Sequence, residues 1–136
     1  MRAAIRALAP GPYSRAQLAA WSSLPALYHA WAMTAGGERY AVAERGGAIV
    51  GYAALLGREL TAVFVHPRAG RRGIGAALVA RMALDARRRG VRRLAVRAAL
   101  PALPFYEALG FEGRRAVAVP LPGGATLPSR LLSRRL

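Results

Sequence analysis

At 136 residues, 54% of them hydrophobic, the chain has the length of one domain and enough apolar material to bury a core. It has no cysteine and only two histidines, His29 and His66, which excludes disulfide scaffolds, thiolate zinc sites, cysteine nucleophiles and a histidine metal cage. The net charge of +15 is carried wholly by arginine, against Asp85 and five glutamates, and reads either as a surface for polyanions or as the imprint of a GC-rich genome. The apolar runs stop short of the roughly 20 residues a membrane span needs, and no signal-peptide layout opens the chain, so a soluble cytoplasmic protein is expected.

Met1 to Ala9 alternates arginine with small apolar residues and reads as a short helix stopped by Pro10-Gly11-Pro12. Ser14 and Gln17 make a capping box for the next helix, with Leu18 and Trp21 on one face. Leu24 to Thr34 continues as helix with Pro25 in its first turn, and Gly36-Gly37 closes it. From Arg39 the period changes to two. Arg39 to Glu44 and Ala48 to Leu56 flank Arg45-Gly46-Gly47 as a hairpin, and Glu59 to Val65 is the third strand of an antiparallel meander. A helix from about Gly75 to Arg89 stacks Ile74, Leu78 and Met82 at helical spacing, with Arg87, Arg88 and Arg89 in its last turn. Arg92 to Ala98 is reached through that helix, so it should pair with Glu59 to Val65 in parallel by a right-handed crossover. Pro101 to Leu109 is a short helix ending at Gly110, and Val117 to Leu121 and Leu127 to Leu132 flank Pro122-Gly123-Gly124 as a closing hairpin. With no repeat or linker in view, residues 1–136 read as a single α/β domain.

The segment Gly70-Arg71-Arg72-Gly73-Ile74-Gly75-Ala76 stands between a strand and a helix, where a phosphate loop sits. A helix N-terminus offers unpaired N–H groups and a partial positive charge, and glycines let the backbone approach phosphate oxygens. Arg68, Arg71 and Arg72 add full charges at the same mouth. A nucleoside-triphosphate loop is excluded, because Gly75 is followed by Ala76 and Ala77 instead of Lys and a hydroxyl residue. A dinucleotide fingerprint fails as well: the third glycine is missing, and no acid stands about 20 residues on. On its own the loop remains open to a plain structural turn.

The run Phe64-Val65-His66-Pro67 followed by Arg72-Gly73-Ile74-Gly75-Ala76-Ala77-Leu78 resembles the acetyl-CoA motif of the GNAT superfamily, whose usual form is Gln/Arg-x-x-Gly-x-Gly/Ala. Phe105-Tyr106-Glu107-Ala108-Leu109-Gly110-Phe111 resembles the closing helix-and-strand motif of the same family, in the right order along the chain. The resemblance extends from about Tyr13 to Leu136 and implies a mixed, mostly antiparallel sheet with a central parallel strand pair flanked by helices. Three departures stand out. Gly70 replaces the first Gln or Arg, Ala99 or Leu100 stands where many members carry Asn, and helix-like sequence opens the chain where members have a strand. The first family strand is therefore expected to be missing, with either a truncated start or a sheet edge completed otherwise, for instance by a second copy in a homodimer.

The resemblance further implies direct acetyl transfer from acetyl-CoA to a primary amine of a small-molecule or protein acceptor. Cofactor contacts would come from Val63, Phe64, Val65, Arg68, Gly70, Arg71, Arg72, Gly73, Ile74, Gly75, Ala76 and Phe105, with a main-chain amide of Val63-Phe64-Val65 as oxyanion donor. Tyr106 matches the family's thiolate-protonating tyrosine, a neutral phenol at its ordinary pKa of about 10; its bland reading is a core aromatic beside Phe105. Glu59 matches the position of a catalytic Glu in several members; its bland reading is a solvated strand end. His66 reads as loop packing before base or phosphate contact, and Trp21, Tyr28, His29 and Trp31 as core before acceptor pocket. No metal is expected.

Two other functions stay in view: a domain that binds acetyl-CoA without catalysis, and a basic nucleic-acid-binding module using Arg87, Arg88, Arg89, Arg92 and Arg93. The second would be supported by aromatics interleaved with the basic runs, which are missing.

Overall fold

The computed structural model describes residues 4–8, 39–66, 73–120 and 124–136. They form one seven-stranded mixed sheet in the order β1-β2-β3-β4-β5-β7-β6. Its strands are β1 (Ala4–Leu8), β2 (Arg39–Arg45), β3 (Ala48–Leu56), β4 (Glu59–Val65), β5 (Arg93–Ala99), β6 (Glu112–Pro120) and β7 (Thr126–Arg135). Helix α1 (Ile74–Arg88) connects β4 to β5, and a short 3₁₀ turn, Leu100–Ala102, leads into helix α2 (Leu103–Ala108).

The expected meander β2-β3-β4 is present, and every pairing in the sheet is antiparallel except β4 with β5. The mixed sheet with a central parallel pair is therefore the one the sequence and its resemblance implied. The opening of the chain is different. Residues 4–8 pair with β2 from Ala4 opposite Glu44 to Leu8 opposite Tyr40, so the first strand is not missing and the helix read over Met1 to Ala9 is corrected. Ala, Arg and Leu are all good helix formers, which hid the two-residue alternation of Arg6 with its neighbours. Five registered pairs with a neighbouring strand outweigh that propensity. With β1 supplied by the chain itself, that edge needs no partner to complete it. The closing hairpin is also longer than read, because Arg114, Arg115 and the prolines obscured strand character in residues that pair across β6 and β7. The helices read over Ser14 to Thr34, with Trp21, Tyr28, His29 and Trp31, lie outside the described residues.

The alternation of β5 explains how the core is built. Leu94, Val96 and Ala98 point to one face and are buried, and α1 lays Ile74, Leu78, Val79, Met82 and Ala86 on that face with Tyr106, Phe111 and Leu132. A fully buried Leu or Met contributes about 1.5–3 kcal/mol, so this cluster anchors α1 to the sheet. The opposite face carries a second cluster of Tyr40, Val42, Tyr52 and Ala54, with Phe64 and Ala62 against it.

Candidate functional site

The parallel pair at the centre of the sheet is short. β4 and β5 share only two registered pairs, Glu59 with Ala95 and Leu60 with Val96, and beyond them the strands part. The parting coincides with a bulge: β3 pairs Leu55 with Leu60 and Ala54 with Ala62, which leaves Thr61 as the extra residue on β4. A bulge bends its strand and increases its twist, so β4 swings away from β5 where the ladder ends. It also reverses the side-chain alternation. Leu60 and Val63 both pack on the α1 face, so Glu59 and Val63, expected on one face by strict alternation, lie on opposite faces.

The orientation of the β4 backbone follows from one bond. The His66 N–H donates to the Val50 carbonyl at 2.8 Å, which turns the main-chain groups of Phe64 and Ala62 toward β3. Those of Val63 and Val65 therefore face the side that β5 has left, and no ladder residue meets them there among the described residues. Among the described residues an extended backbone edge lies open in the middle of the sheet.

The N-terminus of α1 stands beside this edge. Gly73 occupies the N-cap in the left-handed region at φ 75°, where a side chain would be strained. Among the described residues no side chain caps the first turn and none in it is acidic, and the first intrahelical bond runs from the Ala77 N–H to the Gly73 carbonyl at 3.0 Å. The N–H groups of Ile74, Gly75 and Ala76 thus lack helical partners and carry the positive end of the helix dipole. Gly75 is buried, and a Cβ built on it would sit 3.0 Å from the ring of Phe105 and 3.6 Å from Val65 Cγ2. Helix start, β4 edge and α2 meet at this glycine. The arrangement can hold an extended, anionic ligand, its diphosphate at α1 and its chain along β4. Arg68, Gly70, Arg71 and Arg72 lie outside the described residues.

On α2 the two adjacent aromatics divide their tasks. Phe105 is 36% exposed and lies over Gly75, whereas Tyr106 is 7% exposed and belongs to the core. The Tyr106 ring meets Phe105 edge-on at 4.9 Å and Phe111 edge-on at 5.6 Å. Burial alone pushes its phenol up from 10.0 to about 12, because the phenolate would be charged in an apolar surrounding.

Glu59 is not a solvated strand end. Both of its carboxylate oxygens accept from the guanidinium of Arg97 on β5, Oε1 from Nε and Oε2 from Nη2, each at 2.9 Å. Reading the sequence missed Arg97. The signal was opposite charges on two strands already expected to be parallel neighbours, Glu59 opening one and Arg97 within the other. His66 is half-buried and Glu107 exposed. Among the described residues no group of three or more His, Cys, Asp or Glu could hold a metal ion, and no helix is long and apolar enough to cross a membrane.

A family model described as an acetyltransferase (GNAT) domain matches residues 36–113, more than half the chain. A search of curated proteins found no match. Among solved structures, a GCN5-related N-acetyltransferase from Rhodopseudomonas palustris superposes with a TM-score of 0.81 at 23% identity, covering 100% of this chain and 97% of that one. A GNAT family acetyltransferase from Elizabethkingia anophelis with acetyl-CoA bound gives 0.75 at 18% identity, covering 99% of each chain. YncA from Salmonella typhimurium with its cofactor acetyl-CoA gives 0.69 at 21% identity, covering 100% of this chain and 95% of that one. These likenesses establish a shared fold.

Proposed function

The chain belongs to the GNAT family of acetyltransferases, and from that premise we propose that it works as one domain that transfers an acetyl group from acetyl-CoA to a primary amine. The observation that carries this reading is the open edge of β4 facing the uncapped N-terminus of α1. The residues present fit the cofactor. N–H groups of Ile74, Gly75 and Ala76 would take the pyrophosphate, joined by Arg68, Gly70, Arg71, Arg72 and Gly73 from the loop, and the Val63 and Val65 main chain would take the pantetheine amides. Phe105 would flank the same path beside Gly75. When bound, the cofactor would supply an activated thioester carbonyl. The amine nitrogen would attack it directly, the carbon–sulfur bond would break as the amide forms, and the amine's proton would pass to solvent water.

The chain's own groups then have defined parts. A main-chain N–H on the open edge of β4, fixed by the strand and turned away from β3, donates to the carbonyl oxygen as it gains charge. Tyr106 keeps its proton at Oη throughout the neutral range. It can therefore offer that proton to the departing sulfur, the acid part the resemblance assigns it. Glu59, the sequence's candidate base, already gives both oxygens to Arg97, and we assign it another part below. Residues of the acceptor pocket read from Trp21 to Trp31 lie outside the described residues.

Calorimetry with acetyl-CoA, followed by thiol release across a panel of primary amines, tests the proposal. Binding with amine-dependent release is expected. Absence of heat with both acetyl-CoA and coenzyme A would remove it, and binding without release by any amine would leave a cofactor-binding domain instead. A milder test is Gly75→Ala. Alanine gains about 1 kcal/mol of helix propensity but sets its methyl 3.0 Å from the Phe105 ring, which must give by a few tenths of an ångström. The melting temperature should stay within a few degrees, while the dissociation constant for acetyl-CoA rises about tenfold. An unchanged affinity would mean that Phe105 and Gly75 do not flank the ligand.

A further inference from the structure

Two strands that share only two register pairs and then separate need something to fix where they separate. A ladder this short frays by rupture of one or two main-chain bonds, and the open edge of β4 would lose its defined position with it. The structure places an ion pair at that point. Glu59 is the first residue of β4 and faces Ala95; Arg97 lies two residues beyond Ala95 and one beyond Val96, the last β5 residue in the ladder. The pair therefore reaches diagonally across the crotch of the fork, from the first β4 residue of the two-pair ladder to the β5 residue immediately beyond it. Leu60 on β4 and Val96 on β5 are buried under α1, so alternation puts Glu59 and Arg97 on the other face, and the crotch is held from both sides. The bulge at Thr61 begins immediately after it.

An isolated salt bridge at this degree of exposure, 38% for Arg97 and 26% for Glu59, contributes little to stability. Geometry distinguishes this one: two parallel N–H to oxygen bonds, both 2.9 Å, fix the relative orientation of two planar groups and hence of the strands that carry them. The same fork occupies the carboxylate from the side on which β5 lies.

Resting on the reading of the fork as the acetyl-CoA site, we propose that Glu59 and Arg97 form a clasp that sets the parting point of β4 and β5, making both positioning residues for the thioester-binding edge. Glu59 is then not the group that takes the amine's proton. The clasp orients Val63 and Val65 and has no part in holding the pyrophosphate, which falls to the start of α1 and the residues that precede it.

The test separates these levels with two probes, acetyl-CoA and adenosine 3′-phosphate 5′-diphosphate, the cofactor fragment that lacks pantetheine. Glu59→Gln and Arg97→Met should each weaken acetyl-CoA about tenfold and leave the fragment unchanged, with Arg97→Lys intermediate because it keeps the charge and loses the fork. Exchanging the pair, Glu59→Arg with Arg97→Glu, should restore acetyl-CoA affinity and amine-dependent thiol release to within about threefold of the native chain. A general base behaves differently. If Glu59→Gln kept acetyl-CoA affinity and lost release together with the acidic limb of the pH profile, while Arg97→Met kept both and the exchanged pair stayed inactive, the clasp would be overturned. Should either single variant unfold, Arg97→Lys and the exchanged pair decide alone. If the native chain binds the fragment but not acetyl-CoA, or binds neither, the fault lies in the acetyl-CoA reading and not in the clasp.

Discussion

Replacing Tyr106 by phenylalanine is expected to slow amine-dependent thiol release by about a hundredfold, with acetyl-CoA affinity unchanged within about twofold. Only one oxygen is removed, and the ring contacts with Phe105 and Phe111 that tie α2 to the core remain. The loss should fall on kcat, because a hydrogen bond to a sulfur that is becoming negative is worth more in the transition state than in the bound ground state. The pH dependence gives a second, independent reading. The phenol sits near 12 in the folded chain against 10.0 in a free tyrosine, so between those values the folded state holds a proton that the unfolded chain has released. Stability contributed by this group is complete below pH 10 and falls by about 2 kcal/mol as pH rises to 12. Denaturant melts at pH 9 and pH 11.5 should show a fall larger by about 2 kcal/mol in the native chain than in Tyr106→Phe. A variant that melts as the native chain does at both pH values would mean that the hydroxyl is not buried, and undiminished release would remove Tyr106 from the chemistry.

Much of this architecture was legible because each element carries its own signal. The glycines at 46–47 and 57 punctuate β2, β3 and β4, and the spacing of Ile74, Leu78 and Met82 gives α1 a single apolar stripe that the sheet receives. The start of α1 was legible for the same local reason: a left-handed residue at the N-cap requires glycine, and close approach of the Phe105 ring requires another at Gly75. Both requirements leave letters in the sequence.

What could not be read depended on partners distant in the chain. The strand character of residues 4–8 lies in the ladder with β2, since their intrinsic preference is for helix. The bulge at Thr61 leaves no local mark either, because it arises from how many residues β3 presents opposite β4, and it alone decides that Glu59 and Val63 face opposite ways. The pairing of Glu59 with Arg97 needed the register of β4 against β5 before the two charges could be placed together. The division between Phe105 and Tyr106 was half legible: adjacent helical positions must point apart, but which of them enters the core depends on Phe111, across the turn at Gly110.

The second large effect sets the stability of α1 against its ligand. Ala76 is the third residue of the helix, partly exposed, with no acid in its turn. Ala76→Asp adds a negative charge at the positive end of the dipole, which in an empty protein is stabilising by about 0.3–1 kcal/mol and should raise the melting temperature slightly. In the liganded protein the same carboxylate stands against a diphosphate. At about 5 Å and an effective dielectric near 20, each like-charge pair costs about 3 kcal/mol before screening, and even half of that over two phosphates weakens binding by a hundredfold or more. The aspartate side chain can also fold back to accept from the free N–H groups and so compete directly for the donors that would hold the ligand. Acetyl-CoA affinity and melting temperature should therefore move in opposite directions from one substitution, an outcome that general damage to the fold does not produce. Ala76→Asn, which can accept the same bonds without the charge, separates the two contributions: binding should recover by at least tenfold relative to aspartate if the field at the helix start governs affinity, and should stay as weak as in aspartate if occupancy of the N–H groups does.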